Sequence, residues 1–204
     1  MKKSAENEEL LNKAAELQKL MSFYELTCYP LHSDFNYAVK QWQLDRTSQF
    51  WSRTSIRCLC ATVEATLFSF RKIAEKIGEA AKIQFDLEEI EILSEKQTRN
   101  GFERPKFLSP SNALKESFRL FGKSTGTNLN IDYGNGFPEL CETFNVRNRL
   151  MHPKMPFDIA VNTKDIETAD IGIAWFNKTC ADIFHQCQAQ IGQNIKNIIA
   201  QQAK

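Results

Sequence analysis

Apolar residues recur at three- and four-residue spacing along most of the chain, the period of helices that bury one face. The first run spans residues 5–27, with Leu10, Leu11, Ala14, Leu17, Leu20, Met21 and Tyr24 as its stripe. Ser4 is placed to cap it, and Glu6 and Glu8 suit its first turn. Cys28-Tyr29-Pro30-Leu31-His32-Ser33 reads as a break, with His32 in a loop before a cap at Ser33 or Asp34. Residues 34–53 are helical in pattern and aromatic-rich. Residues 54–84 predict one long helix. Its stripe of Ile56, Leu59, Cys60, Val63, Leu67, Phe70, Ile73, Ala74 and Ile77 is broad enough for a central position. A short acidic helix over 86–96 and a loop over Thr98–Lys106 follow. Residues 110–122, opening at Ser109-Pro110 or Ser111, predict a helix with Leu114, Phe118 and Phe121 inward and Gly122 as its C-cap. Residues 123–136, rich in Gly, Asn, Ser and Thr, read as a loop.

The last helix is predicted over 165–201, capped by Asn162 or Thr163, with Asp165 and Glu167 in its first turn and a kink near Gly172. Ile166, Ala169, Ile173, Phe176, Cys180, Ile183, Phe184, Cys187, Ile191 and Ile195 are its inward face. No strand pattern of weight, internal repeat or low-complexity segment is found. The expectation is an all-α helical bundle. Residues 1–47 form an N-terminal helical extension packed on or beside it, and 48–204 form the bundle domain, with its loop at 123–136.

One segment between these elements concentrates the chemistry. Gly136 to Val146 reads as a helix, with Pro138 suited to the first turn and Glu139 to the positive end. Leu140, Phe144 and Met151 fall near one face, with Cys141 beside them. Arg147-Asn148-Arg149-Leu150-Met151-His152 follows, and Pro153 disfavours helix at the histidine. At about 100° per residue, Arg147 and His152 point roughly 140° apart on a straight helix. Either the last turn loosens, or a second copy of the motif supplies the partner. Glu64 lies close to the apolar stripe of the long helix, where a carboxylate needs a cation; an arginine of the motif helix would serve, and a solvent-facing or purely structural glutamate is the alternative.

At 204 residues the chain can bury a sizeable core as one domain, or as one with an appendage. Its 26 basic and 25 acidic residues nearly cancel, so any RNA site must be a local patch. Arg46, Arg53 and Arg57 interleave with Phe50 and Trp51, a mixture that binds single-stranded RNA when exposed and is core plus solvated face otherwise. The N-terminus is charged and amphipathic without a signal-peptide core, and no run of eighteen apolar residues exists. With six scattered cysteines (Cys28, Cys58, Cys60, Cys141, Cys180, Cys187), this predicts a cytoplasmic protein with free thiols as small core residues. Three histidines and no paired Cys-x-x-Cys argue against structural zinc, and no cofactor or metal is expected. Gly122-Lys123-Ser124 is no P-loop, because Ser117 stands where the upstream glycine belongs and a helix precedes it. The loop at Thr98–Lys106 is locally basic and suits RNA phosphates, though basic loops are ordinary. His185 reads as structural, and the sequon at Asn177 as chance.

Arg147, Asn148 and His152, late in a helical chain, resemble the motif of the HEPN domain (higher eukaryotes and prokaryotes nucleotide-binding). The resemblance covers mainly residues 48–200. It implies a four- to five-helix bundle and a metal-independent endoribonuclease of toxin–antitoxin or phage-defence type. It also implies an active site made where two protomers join, and a polar or acidic residue on the early core helix, which Glu64 would supply. RNA carries its own nucleophile, the ribose 2′-hydroxyl. A histidine can move its proton, and an arginine offers paired donors to phosphate oxygens. The expected catalytic set is therefore Arg147, Asn148 and His152, with Arg149 and Lys154 as RNA-holding charges. Partners would be RNA, a second copy, and an antitoxin or a nucleotidyltransferase-type protein. Two other readings stand beside it. Arg147 can simply pair with a carboxylate while His152 caps the helix, and the bundle can be a non-cleaving nucleotide-binding or protein-interaction module.

Overall fold

Ser48 decides where the central helix begins. Its side-chain oxygen accepts from the Trp51 N–H at 3.4 Å, a serine N-cap, and helix α2 runs Gln49–Ala81. The computed structural model describes the backbone of residues 2–99 and 101–202. Side chains are described from Cys28 to Gln190 except Asn100, and at Ala15, Lys19, Ser22, Glu25 and Leu26 before them. The predicted stripe from Leu10 to Tyr24, and Ile191 and Ile195, lie outside the described side chains. Before α2, a single helix α1 runs Lys2–Leu44. The predicted break at Cys28–Ser33 is corrected: Pro30 sits inside α1 and His32 is helical. Leu26, Tyr29 and Pro30 lie on its exposed side, where solvent can serve the carbonyl that proline leaves without a donor. The chain turns at Asp45–Ser48 instead, where Asp45 accepts from both the N–H and the hydroxyl of Thr47.

After α2 come α3 (Leu87–Ser94), strands β1 (Lys96–Arg99) and β2 (Phe102–Pro105), α4 (Pro110–Thr125), α5 (Phe137–Met151), a 3-10 turn at Pro156–Ile159 and α6 (Thr163–Gln202). The architecture is an all-α helical bundle. The hairpin corrects the expectation of no strand: β1 and β2 pair antiparallel with Arg99 opposite Phe102, and Gly101 adopts φ +76°. Asn100-Gly101 between two short runs is a two-residue hairpin signal, though a weak one when both runs are polar and exposed. Helix α4 is longer than predicted. Gly126, at φ +67°, is its cap, and Gly122 is interior. A Cβ on Gly122 would meet the Thr127 oxygen and Leu129 at 2.8 Å, so this glycine permits close approach and ends nothing. The loop is consequently 126–136.

Helix α1 packs along α2, which also meets α4, α5 and α6. Ile56, Leu59, Val63, Leu114, Phe118, Leu140, Phe144 and Ile183 are fully buried between these helices. Each contributes about 1.5–3 kcal/mol of hydrophobic burial. Phe70 meets the rings of Phe118, Phe121 and Phe184 at 5.6, 4.8 and 5.5 Å. Phe184 nevertheless keeps 44% of its surface exposed, and Trp175, absent from the predicted inward face, is buried. Gly172 lies inside the continuous α6. A Cβ there would meet the Leu140 backbone at 2.7 Å, so this glycine permits α5 and α6 to approach closely. All six cysteines are free thiols. Among the described residues no helix is long and apolar enough to cross a membrane.

Candidate active site

Three devices fix where α5 starts. Gly136 takes φ +95°, and a Cβ on it would lie 2.3 Å from Cβ of Trp175. Its N–H donates to the Glu139 carboxylate at 2.7 Å. The Trp175 indole N–H donates to the Asp132 carbonyl at 2.8 Å, tying the preceding loop to α6. Leu140, Thr143 and Phe144 then bury one face against the bundle. The helix stays regular through Met151, and the His152 N–H donates to the Asn148 carbonyl at 3.0 Å. Only at His152 does the backbone leave the helix, at φ −131° and ψ 61°, as its position before proline requires. The last turn therefore does not loosen ahead of the histidine, and the wide angle between Arg147 and His152 stands. Met151 is exposed, a correction to its placement on the inward face; Val146 and Leu150 are buried instead.

Arg147 is held by a carboxylate and an aromatic ring. Its Nη2 donates to the Glu64 carboxylate, and its guanidinium lies 5.5 Å from the centre of the Phe144 ring. The buried Cys60 lies against the same group. Burial pushes its thiol up to about 12, with Arg147 pulling down and Glu64 pushing up, so it stays a neutral thiol at the foot of the ion pair. Arginine carries five N–H donors, so donors remain for a phosphate. Glu64 is 54% exposed, and the pair opens to solvent on that side.

Asn148 and His152 are exposed, and among the described residues no side chain hydrogen-bonds either of theirs. Arg149 points elsewhere. Its Nη1 donates to the carbonyls of Asp158 (2.8 Å) and Ala160 (2.5 Å), and its Nη2 to Asp165 at 2.5 Å. Asp165 in turn accepts from the Asn162 N–H at 2.9 Å, and Asn162 accepts from the Asp165 N–H at 3.0 Å, the reciprocal cap of α6. Lys154 is exposed. Its N–H and that of Met155 donate to the Asp158 carboxylate, which these bonds hold below the usual range.

The start of α2 closes the arrangement. Arg57 donates to the Leu150 carbonyl at 3.2 Å, Arg53 donates to the Ile159 carbonyl at 3.3 Å, and Gln49 exchanges two hydrogen bonds with the backbone of Val161. Arg57 thus sits at the carbonyl end of α5, where a helix favours positive charge, and Arg53 holds the 3-10 turn that follows. Arg46 instead lies over Trp42, and Phe50 is exposed. Periodicity flagged the arginines but not these targets, because carbonyl acceptors leave no mark in a sequence. His32 and His185 are exposed and lie outside this cluster.

The fold thus brings Arg147, Glu64 and Phe144 together. It sets Asn148 and His152 free at the surface, and it binds Arg149 into the loop that follows. No protein-family model, curated protein or solved structure matches the chain.

Proposed function

We propose that the chain is a metal-independent endoribonuclease of HEPN type, of the kind found in toxin–antitoxin and phage-defence systems, acting as a pair of copies. The observation that carries this reading is the held guanidinium of Arg147 with a histidine left free at the end of the same helix. Arg147 donates to a non-bridging oxygen of the scissile phosphate and stabilises the charge that grows there. Its fixed setting against Glu64 and Phe144 means that little ordering is needed at the reacting moment. His152 accepts the proton of the 2′-hydroxyl. The 2′ oxygen bonds to phosphorus, the bond from phosphorus to the 5′ oxygen breaks, and that oxygen leaves with a proton from water. The products are a 2′,3′-cyclic phosphate and a 5′-hydroxyl. Asn148, exposed one position after Arg147, orients the phosphate or the imidazole. The wide angle between Arg147 and His152 supports a composite site, in which the second copy's motif completes the set.

Purified protein incubated with total RNA and tRNA in EDTA, beside the His152→Ala and Arg147→Ala variants, tests the reading. Cleavage by the parent alone, leaving cyclic phosphates, is the expected outcome. A His152→Ala variant that cleaves as well as the parent overturns the assignment.

A further inference from the structure

Glu64 forms one wall of a second feature. A half-open cavity of about 420 Å³ lies between α2, α3 and the chain leading into α4, within the about 300–1,000 Å³ of small-molecule sites. Its lining is aromatic and apolar with two carboxylates and two cations, Arg71 and Lys106. Phe68 and Leu108 contribute walls, and Phe107 stands at 87% exposure in the segment between β2 and α4. Glu64 and Glu95 are the carboxylates, 54% and 43% exposed. Each is held on one side by an arginine, Glu64 by Arg147 and Glu95 by Arg71. Arg71 is more than nine-tenths buried. Its Nη1 donates to the Ser117 hydroxyl at 2.7 Å, and its Nε is buried with no hydrogen-bond partner among the described residues. A buried arginine left partly unsatisfied is costly. Structurally it holds Glu95 at the cavity wall.

We infer that this cavity binds an unpaired guanine base next to the scissile phosphate. The inference rests on the ribonuclease reading above. A flat aromatic ligand suits the exposed Phe107, since every base can stack on a ring. Arg71 and Lys106 also line the cavity, but Arg71 is buried and Lys106, 14% exposed, is held by Glu91 at 2.9 Å. The polar groups that stand exposed are the carboxylate oxygens, which only accept, so the base must donate. Guanine presents two adjacent donors, N1–H and the 2-amino group, on one edge, and they match the two oxygens of one carboxylate. Uracil presents a single ring donor between two carbonyls, which two glutamates repel. Glu95 reads that edge from a fixed position, because Arg71 sets it. Glu64 belongs both to the cavity and to the Arg147 pair, so base and phosphate sit on opposite sides of one carboxylate.

The test separates binding from cleavage. Fluorescein-labelled 2′-O-methyl pentanucleotides of sequence UUNUU, which lack the nucleophile, are titrated by anisotropy against the full chain, with N as guanine, inosine, adenine, cytosine or uracil. Guanine is expected to bind at least tenfold tighter than uracil, and inosine, without the 2-amino group, falls between them. Phe107→Ala, at an exposed position, is expected to weaken guanine binding at least tenfold with the melting temperature unchanged. Glu95→Gln is expected to remove the preference for guanine. Equal binding of all five by a parent that cleaves RNA in EDTA overturns the cavity assignment and leaves the ribonuclease reading standing. A guanine preference in a parent that does not cleave does the reverse. Tight binding of an arginine-rich peptide with indifference to base identity assigns the cavity to protein and overturns it too.

Discussion

Replacing Arg149 with alanine separates two roles that a basic residue in this motif can have. The structure gives its guanidinium a carboxylate, Asp165, and two carbonyls, Asp158 and Ala160. A hydrogen bond to a charged partner contributes about 1.5–3 kcal/mol, and each bond to a carbonyl about 1 kcal/mol. The guanidinium is 30% exposed, so solvent screens part of this, and a net loss of about 3 kcal/mol is expected. In a domain of 204 residues each kcal/mol moves the midpoint by about 2–4 °C, which places Arg149→Ala about 6–12 °C below the parent. Calorimetry gives this directly, and urea unfolding gives the free energy. The opposite role has its own signature. A residue that neutralises one RNA phosphate lowers the slope of log affinity against log salt by about 0.7 when lost. A midpoint within about 2 °C of the parent, with the slope reduced by that amount, refutes the structural argument and restores Arg149 to the RNA surface. Lysine at 149 is expected to rescue little, because one ammonium cannot span three acceptors in this planar arrangement.

Gly136→Ala is expected to cost about 3 kcal/mol or more in urea unfolding, since alanine resists φ +95° and its Cβ would lie 2.3 Å from Cβ of Trp175. Glu89 is pushed up by burial, but hydrogen bonds from Lys123, Arg119 and the Asp86 N–H bring it down to about 2 from an ordinary 4.5. Its contribution is therefore complete above pH 4.5 and lost as pH falls towards 2; Glu89→Gln should flatten that part of the stability profile, measured by urea midpoints. Burial raises the thiols of Cys60 and Cys180 to about 12, so their contribution is present below pH 9 and lost as pH rises from 9 to 12. Both should resist iodoacetamide at pH 8.5 until urea unfolds the chain, which mass spectrometry of the alkylated peptides reads.

The sequence by itself determined the elements that rest on local chemistry. The stripe from Ile56 to Ala74 is a buried helix face wherever it is placed. The Asp86–Glu89 capping box is satisfied within four residues. Asn162 and Asp165 cap α6 in the same way, and Pro153 ends α5 at His152. Glu64 was legible as a carboxylate in need of a cation, because a charge beside an apolar stripe must be paired. Tertiary structure alone decided the rest. Whether Pro30 breaks α1 depended on which side of the helix faced solvent, not on the proline. Gly122 and Gly172 read as a cap and a kink until the positions of Leu129 and Leu140 turned them into points of close contact. Arg149, Arg53 and Arg57 differ little in sequence from surface charges; carbonyls at the end of α5 and in the loop after His152 gave them their tasks. Local hydrogen bonds and periodicity are written into neighbouring residues, whereas backbone acceptors and close approach exist only once distant segments have met.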